Sequence, residues 1–140
     1  MHVRWRLGIR SQRYALNKVV MLLSNPFVSD PHVYAEALAL SENGYDVTVV
    51  AWDRTCAHPE TEDRGGIHIR RVRVRATFGQ GTRQLLPFLA FWRQAISALS
   101  QMKVDVVHCH DLDTLFAGWV VARRQDQAKE GRVPRTRVVD

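Results

Sequence analysis

Short, continuous apolar runs alternate with longer segments of helical periodicity along this chain, and this alternation constrains the fold more than any other feature. The first run covers residues 18–24 (KVVMLLS), and the second covers residues 45–52 (YDVTVVAW), which are rich in β-branched side chains. Unbroken apolar runs of this length are typical of strands buried on both faces of a parallel sheet. Parallel neighbours need a crossover connection, so the sequence predicts a right-handed βαβ unit within about 35 residues.

The segment between these two runs carries the start and stop signals of a helix. Asp30 and Pro31 suit the N-cap and the first helical position. Asn43 and Gly44 suit the C-terminal end, where glycine can adopt a left-handed backbone conformation. One apolar stripe is predicted to face the sheet, and it consists of Val33, Ala37 and Leu40.

The next stretch of the chain has a less regular pattern. Residues 53–66 are mostly polar and are predicted to form a connection without regular structure. Residues 67–75 (IHIRRVRVR) begin with alternating apolar side chains, and the alternation then breaks at Arg70 and Arg71. This break predicts a half-exposed edge strand with a bulge near the two arginines.

The remainder of the chain returns to the alternating pattern. Residues 85–102 have the spacing of a long helix, residues 104–110 that of a buried strand, and residues 114–124 that of a further helix. Residues 137–139 are interpreted as the start of one more strand, which the sequence leaves incomplete. The fold class predicted is α/β, with a Rossmann-like, doubly wound, mostly parallel sheet that is incomplete at the C-terminus.

Composition narrows the class of partner. Twenty Lys and Arg residues against fourteen Asp and Glu give a net charge of +6, which favours anionic partners. The sequence contains no helix-turn-helix, zinc-finger or RNA-binding signature, so no nucleic-acid partner is expected. The two cysteines fit neither a disulfide framework nor a zinc motif, and no signal-peptide pattern or long apolar run is present. These features predict a cytoplasmic location.

Polar residues collect where two of the predicted strands end. In a doubly wound sheet, ligands bind beyond the carboxyl ends of the strands, where the strand order reverses. The loop of residues 25–30 follows the first strand, and the segment of residues 108–113 (HCHDLD) follows a later one. Strand alternation places His108 and His110 on one side and Cys109 on the other. A carboxylate beside an imidazole suits proton handling or polar recognition near neutral pH.

More ordinary roles compete for the same residues. His108 is favoured as a hydrogen-bonded histidine within the sheet, and Asp111 or Asp113 is suited to cap the helix that starts near Thr114. A metal held by His108 and His110 would need a third ligand, and no residue stands at ligand spacing from them. No metal site is therefore predicted.

Whether residues 83–93 contact a membrane or belong to the core is a second open question. Residues 83–93 (RQLLPFLAFWR) are apolar over most of a helical circumference and have an arginine at each end. They suit either a helix lying on an anionic membrane surface or a helix whose apolar residues belong to the core, and the core interpretation is slightly favoured. Residues 1–17 form a basic N-terminal extension that would add attraction to a membrane.

Three segments together resemble the N-terminal domain of the family 4 retaining glycosyltransferases. They are residues 18–54 (KVVMLLSNPFVSDPHVYAEALALSENGYDVTVVAWDR), 66–74 (GIHIRRVRV) and 104–123 (VDVVHCHDLDTLFAGWVVAR), in that order. The resemblance covers roughly residues 18–140 and implies one half of a GT-B fold, in which two Rossmann-like domains face a cleft. It implies transfer of a sugar from a nucleotide-sugar to a glycan or lipid-linked acceptor, without a metal or other cofactor.

The resemblance also implies roles for individual residues. His110 matches the family histidine at the end of this strand, beside the reacting sugar, and Asp111 matches the acid next to it. These two are the catalytic candidates. The loop after the first strand matches the one that approaches the acceptor and the donor phosphates. The residues implied in substrate binding are Asn25, Ser29, Asp30 and His108.

The sequence departs from the family pattern in three places. The first loop reads NPFVSD (residues 25–30) where many members have a glycine-rich loop, and His32 stands where related sequences carry arginine. The family's donor site includes two glutamates spaced eight apart in the C-terminal domain, and no two of the five glutamates here have that spacing. Residues 18–140 are therefore interpreted as a truncated acceptor-side domain, inactive alone. The alternative is a non-catalytic Rossmann-like binding or interaction module, or an inactive gene fragment.

Overall fold

The computed structural model of the 140-residue chain describes residues 17–77, 79, 81–128 and 137–139. Except for Asn17, the predicted N-terminal extension lies outside the described residues. Short 3-10 turns precede the second and third helices. In chain order the strands and helices are β1 Lys18–Leu23, α1 Pro31–Glu42, β2 Asp46–Asp53, β3 Thr61–Arg64, β4 Ile67–Arg73, α2 Leu85–Ser100, β5 Val106–Cys109, α3 Leu115–Ala128 and β6 Arg137–Val139.

Six strands of the described part of the chain form one sheet in the order β3-β4-β2-β1-β5-β6. All neighbouring strands pair in parallel except β3, which is antiparallel to β4. From β1 the chain moves outward to β2 on one side, and it later returns to place β5 on the other side. The strand order therefore reverses between β1 and β5, as in a doubly wound sheet. The predicted Rossmann-like α/β fold is confirmed.

Helices cover both faces of this sheet, which explains the unbroken apolar runs. One face of β1, β2 and β5 packs against α2 and α3, with Trp52 stacked on Phe91 at a centroid distance of 4.6 Å. The other face packs against α1 through Val33 and Ala37, the two buried residues of the predicted stripe. Burying one such aliphatic or aromatic side chain contributes about 1.5–3 kcal/mol, so the two layers supply most of the driving force for folding.

The first crossover forms as predicted. The Asp30 carboxylate caps α1, since its Oδ1 accepts a hydrogen bond from the Val33 amide at 3.2 Å. The helix ends before Gly44, whose φ of +85° is the left-handed conformation expected after a helix. Because α1 runs antiparallel to β1, its first turns lie beside the carboxyl ends of the strands.

Two predictions for the middle of the chain are wrong. Residues 53–66 are not an irregular connection, because they contain β3, which pairs with β4 through a two-residue Gly65-Gly66 turn. Both glycines have positive φ, at +59° and +79°, as a tight hairpin turn of this kind requires. Consequently β4 is an inner strand between β3 and β2 and not the edge strand that was predicted. Its register with β2 runs unbroken from Thr48 opposite His68 to Asp53 opposite Arg73, so it has no bulge at the arginines.

A buried arginine accounts for the break in apolar alternation along β4. Arg71 shares the α1 face with Ile69, and only 2% of its surface is exposed. Its guanidinium donates hydrogen bonds to the Pro26 carbonyl (2.8 Å), to the Pro59 carbonyl (3.1 Å) and to Glu62 Oε2 (2.8 Å). A charged side chain therefore occupies a core position, and it ties β4 to β3 and to the loop after β1.

The second helix has a buried apolar face, as the core interpretation predicts, and it also has exposed apolar residues in its first turn. Phe91, Ala95 and Leu99 are buried against the sheet, whereas Leu85 and Leu86 are exposed. The helix is shorter than predicted by two residues at its C-terminal end. None of the described helices is both long enough and apolar enough to cross a membrane.

Candidate active site

The loops that follow β1 and β5 meet at the point where the strand order reverses. The His110 amide donates to the Leu22 carbonyl at 3.1 Å and so continues the β1–β5 pairing by one residue. Asp111 Oδ2 accepts hydrogen bonds from the amide and from the hydroxyl of Ser24, at 2.9 and 3.0 Å. The segment that begins with His108 is therefore fastened to the first loop, at the location where doubly wound sheets bind ligands.

The two imidazoles lie on the face of the sheet that packs against α1. Their ring centroids are 4.2 Å apart, and the side chain of Cys109 points into the core on the opposite face. The alternation predicted for His108, Cys109 and His110 is thus observed. Both histidine side chains are mostly buried, with 17% and 15% of their surface exposed.

Glu36 of α1 is a site residue that the sequence reasoning missed. Its Oε1 lies 3.0 Å from His108 Nδ1, and its Oε2 lies 3.9 Å from His110 Nε2. The sequence did contain a signal for Glu36. This residue is next to Ala37 of the buried stripe, and it lies in the half of α1 that is near the carboxyl ends of the strands. No metal site was predicted because the two histidines had no third ligand at a suitable spacing in the sequence. In the structure, Glu36 occupies the position of such a ligand.

His110 lies in an environment that favours the neutral imidazole. Burial lowers the pKa of His110, the neighbouring His108 lowers it further, and the carboxylates of Glu36, Asp111 and Asp30 partly oppose this effect. Its Nε2 atom is buried and makes no hydrogen bond within the part of the chain that the structure describes. A neutral imidazole nitrogen in this position can bond to a hydroxyl group, accept a proton or bind a metal ion.

Asn25 and Asp30 shape the first loop. The Asn25 side-chain amide donates to Asp30 Oδ2 at 3.3 Å, and Asn25 Oδ1 accepts from the Phe27 amide at 2.8 Å. Phe27 is buried and has a φ of +53°, which is rare for a residue other than glycine. The loop therefore makes its sharp turn without a glycine, held by these hydrogen bonds and by the buried ring.

Among the described residues, no hydrogen bond or ion pair joins Ser29 to the histidines. Ser29 is exposed and lines a surface cavity of about 400 Å³ together with Asp30, Tyr34 and Arg64. Asp30 is the link between the two areas, since its carboxylate also contributes to the electrostatic surroundings of His110. The structure thus groups His108, His110, Asp111, Asn25 and Asp30 at one edge, with Ser29 at its margin.

On the α2 side of this edge lies a second charged group. The Arg54 guanidinium stacks over the Trp52 ring at 4.1 Å and interacts electrostatically with Asp113 and Asp111. Burial raises the pKa of Asp113, and the charge of Asp111 adds to this effect. Capping by the Asp111 side chain is not observed among the described residues, since this carboxylate bonds to Ser24 instead.

Comparison with known proteins agrees with the resemblance seen in the sequence. A family model described as Glycosyltransferase Family 4 matches residues 31–137. The matched region is well over half of the chain, and it includes α1 with Glu36, β5 with His108, and the residues His110 and Asp111 that follow β5. No curated protein matches the chain. Because the family model covers most of the sequence and the sheet has the expected topology, the chain belongs to glycosyltransferase family 4.

Proposed function

We propose that this domain forms the acceptor-side wall of a glycosyltransferase active site, in which a sugar passes from a nucleotide-sugar to an acceptor with retention of configuration. The observation that carries the proposal is the position of His110 Nε2, which is buried, makes no hydrogen bond within the described residues and lies at the switch point of the sheet. In this proposal Nε2 contacts a hydroxyl group of the transferred sugar.

Asp111 has a positioning role in this proposal. Its carboxylate is held by two hydrogen bonds from Ser24, so its charge has a fixed place beside His110. A fixed negative charge there favours the positive charge that develops on a sugar ring during glycosyl transfer, and it orients the sugar or the acceptor hydroxyl. Asn25 and Asp30 hold the first loop in the shape that leaves this edge open.

The charges around the site support placing the nucleotide elsewhere. Asp30, Glu36 and Asp111 surround His110 with carboxylates, which repel the diphosphate of a sugar donor. Arg54 is a cation near this edge, and it already interacts with Asp111 and Asp113. We therefore propose that the donor phosphates are bound mainly by a second domain outside these 140 residues, and that hydroxyl groups face the wall described above.

An exposed apolar surface supports a lipid-linked acceptor and peripheral contact with the cytoplasmic face of a membrane. Leu86 of α2 is 73% exposed, and Phe116 and Trp119 of α3 are about half exposed. The rings of Trp92 and Phe116 are 5.0 Å apart and join the two helices, while Arg123 stacks near Trp119 at 5.1 Å. Aromatic side chains next to arginines suit the interface of an anionic membrane.

The test of the proposed function is a His110→Ala substitution in the enzyme that contains this chain together with its donor-binding domain. Sugar transfer is followed with a radiolabelled nucleotide-sugar, and the variant is expected to lose about 10²-fold or more in kcat. His68→Ala is the matched control, because His68 is exposed and pairs with Asp63 on the far side of the sheet. Unchanged turnover in the His110 variant would refute the role proposed for His110.

A further inference from the structure

Two imidazoles and one carboxylate converge at the carboxyl edge of the sheet. Glu36 comes from α1, and His108 and His110 come from the end of β5 and the residue after it. Each of the three offers one ligand atom, and all three atoms lie within 4.8 Å of one another. The backbone holds both histidines in place, because His108 is in register with Met21 of β1 and the His110 amide bonds to Leu22.

We propose that Glu36, His108 and His110 form a binding site for a divalent first-row transition-metal ion, with Zn²⁺ as the best match. Two histidine nitrogens and one carboxylate oxygen are a donor set that suits Zn²⁺, Co²⁺ or Ni²⁺. Mg²⁺ and Ca²⁺ prefer oxygen ligands throughout, so they match this set poorly. Three protein ligands also leave one tetrahedral position open for water or another small ligand.

The distances fit an ion after a small adjustment of the side chains. Two ligand atoms on one tetrahedral zinc ion, each about 2.0–2.2 Å from the metal, lie roughly 3.4 Å apart. In the structure Glu36 Oε1 lies 3.0 Å from His108 Nδ1, the other oxygen, Oε2, lies 3.9 Å from His110 Nε2, and the three ligand atoms all lie within 4.8 Å of one another. Glu36 is the most exposed of the three, with 44% of its side chain accessible, so it has room to close the remaining gap.

The local charges favour a cation. Metal ions bind the neutral imidazole, and burial of the His110 side chain, which is 15% exposed, favours that form. The carboxylates of Asp30 and Asp111 lie near enough to influence His110 and add negative potential. A bound ion would also give His110 Nε2 the partner that it lacks within the described part of the chain.

The proposed metal site and the proposed sugar contact use the same atom. An ion on His110 Nε2 would exclude a sugar hydroxyl from that nitrogen, so a transition-metal ion is expected to compete with sugar binding at this edge. Binding of the ion itself requires neither a sugar donor nor a second domain. The inference can therefore be tested separately from glycosyl transfer.

The experiment is a calorimetric titration of ZnCl₂ into the untagged 140-residue chain at pH 7.5. We expect saturable binding of one ion per chain. Residues that only hold a ligand in place are worth about 10–100-fold in metal affinity, so Glu36→Gln and His110→Ala, which each remove a ligand, should weaken binding at least tenfold. Tetrahedral coordination should also give bound Co²⁺ a visible absorption band that both substitutions remove.

His68→Ala provides the matched control. It removes an exposed histidine that pairs with a carboxylate, Asp63, at a distance from the site, and it should leave Zn²⁺ affinity unchanged. Circular dichroism checks that each variant is folded, and Glu36→Gln decides the result if His110→Ala does not fold. The inference is overturned if the wild-type chain shows no saturable Zn²⁺ binding, or if the Glu36 variant binds Zn²⁺ as tightly as the wild type.

Discussion

Replacing Arg71 with methionine would remove a buried guanidinium while keeping an apolar side chain of similar length. Arg71 is 2% exposed, and its three hydrogen bonds reach the Pro26 carbonyl, the Pro59 carbonyl and Glu62. These partners lie in the loop after β1, in the segment before β3, and in β3 itself. The substitution therefore loosens three segments at once, including the loop that contains Asn25 and Asp30.

The expected cost follows from what the partners lose. Removing one partner of a buried ion pair typically costs about 3–5 kcal/mol, and hydrogen bonds to a charged group contribute about 1.5–3 kcal/mol each. Glu62 keeps 31% of its side chain exposed and can regain water, which reduces the penalty. Methionine also avoids the desolvation cost of the guanidinium. The net loss in the free energy of unfolding is expected to be about 2–4 kcal/mol.

Urea denaturation followed by circular dichroism measures this difference. Arg75→Met is the matched control, because Arg75 is exposed and lies beyond the end of β4. An exposed substitution of this kind should change stability by less than about 0.5 kcal/mol. If Arg71→Met lowers the free energy of unfolding no more than the control does, then the hydrogen bonds of Arg71 do not hold these segments together. A buried, hydrogen-bonded arginine would then not explain the broken apolar alternation of β4.

Three further substitutions test the core, the Glu62 ion pair and the exposed surface. Phe91→Ala should lower the free energy of unfolding measured in urea by about 3–5 kcal/mol, because the ring is fully buried against Trp52. Phe116→Ala should cost far less, because that ring is half exposed. Equal losses would contradict the assignment of Phe91 to the core. The pKa of Glu62 is lowered by its hydrogen bonds with Arg71 and, to a smaller extent, with Arg64. The stability that ionised Glu62 gives to the folded protein is therefore complete above the ordinary carboxyl pKa of about 4.3, and it is lost as the pH falls through the lowered pKa. Urea midpoints measured from pH 6 to pH 3 should therefore fall less steeply in Glu62→Gln, and identical profiles would refute the pairing. Trp119→Ser should weaken co-sedimentation with anionic vesicles relative to neutral ones, and unchanged binding would argue against membrane contact through this surface.

Local sequence signals were sufficient for the parts of the fold that depend on neighbours in the chain. The Asp30-Pro31 start of α1, its end before Gly44, and the alternation of His108, Cys109 and His110 all follow from backbone geometry over a few residues. Apolar runs identified β1, β2 and β5 because these strands are covered on both faces.

Features that depend on distant partners were missed. Arg71 occupies a core position only because Pro26, Pro59 and Glu62 supply acceptors, and no local pattern reports those contacts. Glu36 joins the histidines across a long stretch of sequence, through the packing of α1 on the sheet. The β3–β4 hairpin was missed for another reason, because its signal is local. The pair Gly65-Gly66 stands between the short polar run of β3 and the apolar start of β4, and such a pair indicates a hairpin turn.

Turnover of the His110→Ala variant tests the proposal that His110 faces the reacting sugar. The measurement compares kcat for sugar transfer by the wild-type enzyme, the His110→Ala variant and the His68→Ala control, each containing the donor-binding domain and each shown to be folded. We expect kcat to fall about 10²-fold or more in His110→Ala and to stay unchanged in His68→Ala. Wild-type turnover by a folded His110→Ala enzyme would show that His110 does not contact the sugar.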